Sequence, residues 1–164
     1  MQVRIMNLFF AIVIVISFYS TSFAQLTLSG VESMSKNADL ILTGNVVEQN
    51  SSWNENNTRI YTQATIRVEE YLKGSNNSGL VIVSYLGGEV GDVGEMYSHM
   101  PRFENNEEVL VFLKKDDKST NYKVFNGEEG KINVVTDPKT GEKVTTSNVQ
   151  INTLKAQIKS YTKD

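Results

Sequence analysis

The chain has 164 residues, with 16 Lys plus Arg against 19 Asp plus Glu, one histidine and no cysteine. The mild excess of acid argues against nucleic acid as a partner, because binding to phosphate is dominated by neutralising Lys and Arg. A lone histidine excludes a histidine-rich metal site, and the lack of cysteine leaves the core alone to hold the fold.

The first 24 residues carry Arg4, an apolar run from Leu8 to Phe18, and then Ser22-Phe23-Ala24, with small residues where a signal peptidase reads. The run falls short of the roughly 18 to 20 apolar residues that a membrane-spanning helix needs. Residues 1–24 are therefore read as a signal peptide cleaved after Ala24, and 25–164 as a single domain, secreted or periplasmic, with no membrane span. No cysteine follows the cleavage site, so a lipid anchor has no attachment atom. Removing Arg4 leaves the mature chain slightly more acidic. A domain of about 140 residues buries roughly two-thirds of its unfolded surface, enough for one core without staples. The sequons at Asn50, Asn56 and Asn76 matter only in a host that glycosylates exported proteins.

Ser29 to Asn37 places Val31 and Met34 three apart behind a capping-type serine and reads as a short helix. Ala38 to Val47 follows as an apolar, β-branched strand in which Gly44 suits a bulge or tight bend. Glu48 to Asn57, polar except for Trp53, reads as a long hairpin connection. Ile60, Thr62, Ala64, Ile66 and Val68 alternate with polar neighbours, the period of a strand with one face inward. A polar turn after Gly74 leads to the strand Leu80 to Tyr85. Gly87, Gly88, Gly91 and Gly94 then predict an irregular loop as far as Phe103. Glu107 to Lys114 is apolar on both faces, as in a strand covered on two sides. Tyr122 to Phe125 and Lys131 to Val135 are shorter strands, and Asp137-Pro138-Lys139-Thr140-Gly141 is a hairpin turn leading to Lys143–Thr146. Ile151, Leu154, Ile158 and Tyr161 form the apolar stripe of a closing helix. The fold class expected is mainly β, a small five- to six-stranded OB-like barrel with a short N-terminal and a C-terminal helix.

The ordered motifs Ala38-Asp39-Leu40-Ile41-Leu42-Thr43-Gly44-Asn45-Val46, Val68-Glu69-Glu70-Tyr71-Leu72-Lys73-Gly74 and Glu108 to Leu113 resemble the netrin-like OB-fold domains, including the inhibitory domain of tissue inhibitors of metalloproteinases. Gly87-Gly88-Glu89-Val90-Gly91 and Pro101-Arg102-Phe103 extend the resemblance to a group of exported bacterial proteins. The resemblance implies a barrel, and control of a metalloprotease as one function. Those inhibitors seat an amino-terminal cysteine on the catalytic zinc; the expected mature terminus here is Gln25, so that mechanism is not carried over.

His99 stands beside Ser98, but adjacent side chains diverge in an extended chain and the base would lack an orienting partner. The acidic pairs Glu69-Glu70, Glu107-Glu108 and Glu128-Glu129 read as solvated edges and turns. Asp116-Asp117 and the carboxylates Glu89, Asp92 and Glu95 are of the type that can hold a calcium ion in an irregular loop, but their spacing matches no EF-hand loop. No cofactor is called for, and the chain is read as non-enzymatic. The candidate binding residues are Trp53, Tyr85, Gly87, Gly88, Tyr97, His99 and Phe103, joined by Met96 and Met100: aromatics and methionines beside bare backbone, set against the alternative that they merely cap the barrel. The expected function is an exported module that engages a protein or peptide through barrel-mouth loops. The alternatives are an inhibitor or regulator of an exported metalloprotease and, last, a hydrolase.

Overall fold

The computed structural model describes residues 22–117 and 119–163, with side chains from residue 30. The chain divides into two compact units, Met1–Ser33 and Met34–Asp164, and every strand lies in the second. The expected signal peptide lies outside the described residues apart from Ser22, Phe23 and Ala24, which open helix α1 (Ser22–Asn37). That helix starts earlier than the serine at position 29 suggested.

The strands are β1 (Leu40–Trp53), β2 (Ile60–Lys73), β3 (Leu80–Leu86), β4 (Gly88–Val90), β5 (Val93–Glu95), β6 (Glu108–Lys115), β7 (Tyr122–Val124), β8 (Lys131–Thr136) and β9 (Lys143–Thr145). A 3₁₀ turn, Gly127–Gly130, precedes β8, and helix α2 (Ile151–Tyr161) closes the chain. Two expectations change here. β1 continues through Glu48 to Trp53, where a connection was expected, because its polar end stays paired with β2 as far as Trp53 opposite Ile60. The glycine-rich segment is not wholly irregular: β4 and β5 form a hairpin whose two-residue turn has Gly91, at φ 60, in its first position.

β1, β2, β3, β7 and β6 form a closed five-stranded barrel, with β1 pairing both β2 and β6. The β3–β7 seam is parallel, through Val83 and Tyr122, while the other neighbours run antiparallel. This is the OB-like barrel the strand pattern predicts. The far edge of β6 is shared, with β8 pairing Glu108 to Val111 and β7 pairing Leu113 to Lys115; β9 then extends the sheet beyond β8.

Alternation sets the core. Leu40, Leu42, Val46, Ala64, Ile66, Val81, Val83, Val109, Val111 and Leu113 cluster with Phe103. Each fully buried Leu or Ile contributes about 1.5–3 kcal/mol. The residues between them, Ile41, Thr43, Leu110 and Phe112, are also buried, so β1 and β6 are covered on both faces. Helix α2 buries Ile151, Leu154 and Ile158, contacts β2 and β9, and is tied to β2 by Lys155 and Lys159, both paired with Glu70. Gly44 marks a register shift between β1 and β2, where a Cβ would run into the Arg67 carbonyl and Ile66. Lys73 caps the end of α1 by donating to the Ser35 and Lys36 carbonyls at 2.9 and 2.8 Å, a cation at the negative end of a helix.

Candidate functional site

The segment from Gly87 to Phe103 crosses one end of the barrel and is pinned there by backbone and side chain. The Gly87 amide donates to the Ile60 carbonyl at 2.8 Å, and the Ile60 amide donates to Glu95 Oε2 at 3.0 Å. The Tyr97 hydroxyl donates to the same carboxylate oxygen at 2.8 Å and accepts from Arg59 at 3.0 Å, with the Arg59 guanidinium over the Tyr97 ring. The hydrogen bonds from Ile60 and Tyr97 hold the Glu95 carboxyl below its ordinary value. Glu95, a calcium-type carboxylate by its chemistry, is thus committed to fastening the loop. Among the described residues no three of His, Cys, Asp and Glu group as a metal site.

Beneath this strap lies an open cleft of about 430 Å³. Its floor comes from the extended half of β1 and from β2: Gln49, Ser51 and Thr62. Thr62 Oγ1 donates to the Gly87 carbonyl at 2.6 Å. A hydroxyl has one proton to give, so Ser51 Oγ, 2.8 Å away, is the donor in the second bond. Gly88, at φ 134, lies directly over this pair; a Cβ there would collide with both hydroxyls. Tyr85 donates to Gln49 Oε1 at 3.0 Å, and burial pushes its phenol above its ordinary value.

Seven of the nine candidates named from sequence, Tyr85, Gly87, Gly88, Met96, Tyr97, Met100 and Phe103, line this one cleft. Phe103, however, is not an exposed contact residue. It is 5% exposed, belongs to the core cluster, packs against Tyr85 with the ring centroids 5.6 Å apart and the rings tilted by 42°, and has the Lys131 ammonium 5.1 Å from its ring centroid. It forms the base of the cleft, as the capping alternative expects. Trp53 does not sit on a loop tip; it ends β1, half-buried and outside the cleft lining. His99 lines a neighbouring depression that shares Met96, Tyr97, Met100, Pro101 and Arg102 with the cleft.

Glu107 also departs from expectation. It is paired with Lys131 at 2.9 Å with both side chains largely buried, and it accepts from the Glu104 amide, so it is an internal fastener and not a solvated edge. Sequence reading missed Gln49 and Ser51 as lining, because the polar run from Glu48 to Ser52 carries no apolar alternation to mark it as strand, and it placed Thr62 on the inward face of β2 without linking it to the cleft. The Gly91-Asp92 pair between Val90 and Val93 is a hairpin signal that could have found β4 and β5.

A scan against protein-family models finds no match for this chain, and a search of curated proteins finds none either.

Proposed function

We propose that the chain is an exported, non-enzymatic binding module that holds a protein or peptide in the cleft at the barrel mouth. One observation carries the reading. The cleft combines half-buried backbone at Gly88, exposed backbone at Gly94 and exposed thioethers at Met96 and Met100 with a few polar groups from Gln49, Ser51 and Arg102. Backbone and polar groups orient a ligand while soft side chains adapt to its surface. Export rests on the amino-terminal pattern; the single histidine does have the Glu128 carboxylate behind it, where the sequence reading expected no orienting partner, but the serine in its depression is its chain neighbour Ser98, and no cysteine is present.

The test is capture from the source organism's own exported fraction by immobilised wild type, Arg102→Ala and Tyr97→Ala. A partner retained by wild type and lost by both variants at unchanged melting temperature supports the reading. Retention by all three, or loss that tracks lowered stability, counts against it. Metalloprotease control is the narrower form of the same reading, with the barrel and the motif order in its favour. Undiminished activity of exported metalloproteases at micromolar levels of the protein would remove it.

A further inference from the structure

The chain has five methionines and one histidine. Met34 is buried, whereas Met96 and Met100 are 74% and 37% exposed. Both exposed methionines line the same depression as His99, within the run Met96-Tyr97-Ser98-His99-Met100. The run does not continue as a strand: His99 is in the left-handed region at φ 61, and its carbonyl accepts from the Glu128 amide at 3.0 Å, which bends the segment into a turn.

His99 is also oriented. Its Nδ1 faces Glu128 Oε1 at 3.3 Å while the side chain as a whole is 86% exposed. A carboxylate can only accept, so Nδ1 donates in this contact, and Nε2 is the nitrogen left for a metal ion. A carboxylate behind one imidazole nitrogen, with the other nitrogen open, is the usual arrangement around a metal-ligating histidine. Two thioethers and an imidazole form a soft donor set. Such donors select Cu(I) and its heavier congener Ag(I), whereas Zn(II) takes thiolate, imidazole and carboxylate. No cysteine elsewhere in the chain competes for a soft cation.

We infer that Met96, His99 and Met100 form a binding site for a soft monovalent cation, Cu(I) or Ag(I), with Glu128 as the positioning residue behind His99. The site adjoins the cleft and goes beyond the reading proposed for it. Replacing both methionines by leucine keeps the apolar wall of the cleft while removing the sulfur donors, so the two ideas fail separately.

The experiment uses the full exported chain. Cu(I) is measured by competition with a chromophoric chelator under anaerobic reducing conditions, and Ag(I) by titration followed through the methionine methyl resonances. The expected result is one equivalent bound, with the methyls of Met96 and Met100 shifting and that of Met34 unmoved. Met96→Leu/Met100→Leu abolishes this binding, and so does His99→Asn, chosen because asparagine tolerates the left-handed backbone. Glu128→Ala weakens it by about tenfold or more, the scale of losing an outer partner of a ligating histidine. Binding equal in wild type and the double methionine variant overturns the proposal, as does Ag(I) titration that leaves the Met96 and Met100 methyls unshifted.

Discussion

Thr43 is the one described residue whose buried side-chain oxygen has no hydrogen-bond partner. It lies on β1 among Ile41, Leu110 and Phe112, all fully buried, where a hydroxyl costs desolvation and regains nothing. Thr43→Val keeps the shape and removes the polar atom. The expected outcome is a gain of about 1 kcal/mol, read as a higher midpoint in urea at unchanged slope. A loss of stability would show that the hydroxyl is satisfied. Gly44, next in sequence, marks how much can be read from a residue alone. A glycine inside an apolar strand signals a bulge or a close approach, and the structure supplies both, as a register shift and the Arg67 carbonyl against its Cα. For Trp53 the same reasoning misled, since a large aromatic in a polar run resembles a loop contact until the strand partner is known.

At the scale of elements, charged pairs fasten neighbours together. Asp39, just before β1, accepts from Lys114 Nζ and from the Lys115 amide on β6, and these bonds hold its carboxyl below its ordinary value. Glu70 on β2 is lowered in the same way by Lys159 and Lys155 of α2. A carboxyl lowered by folding stabilises the fold above its ordinary value, here 3.8 and 4.5, and that contribution is lost as pH falls through the folded value. Stability should therefore decline on acidification from about pH 5 to about pH 3, and Asp39→Asn/Glu70→Gln should flatten that decline while lowering stability at neutral pH. Urea unfolding across that range checks it; an unchanged slope with pH in the double variant would mean that other carboxyls carry the effect. Both pairs are partly exposed, so salt should weaken them.

For the whole molecule, the barrel closes through unequal seams. β1 pairs β6 from Leu40 to Asn45, whereas β3 meets β7 through Val83 and Tyr122 with the Asn121 side chain donating to Ser84 Oγ at 2.8 Å. The barrel should open first at this parallel seam. Amide exchange of Tyr122 to Val124 is expected at a lower free energy than that of Val109 to Leu113, which approaches global unfolding. Equal protection would make closure part of a single cooperative event.

The sequence by itself determined the β-rich class, most strand positions, the inward set on β2 and the closing helix, because alternation and the three-to-four spacing report which face meets water wherever apolar and polar residues contrast. It also brought seven of the sixteen cleft residues into one list, because glycines, aromatics and methionines crowded into one segment stand out locally. The tertiary structure alone decided what has no local signal. The polar half of β1 is strand because β2 pairs with it, Phe103 is core because the barrel surrounds it, and Glu107 is internal because Lys131 arrives from β8. Ser51, Thr62 and Gly87 meet because β1 pairs Ser51 opposite Thr62 on β2 and β3 pairs Leu86 opposite Tyr61, and the register of strand pairing leaves no period in the chain to read.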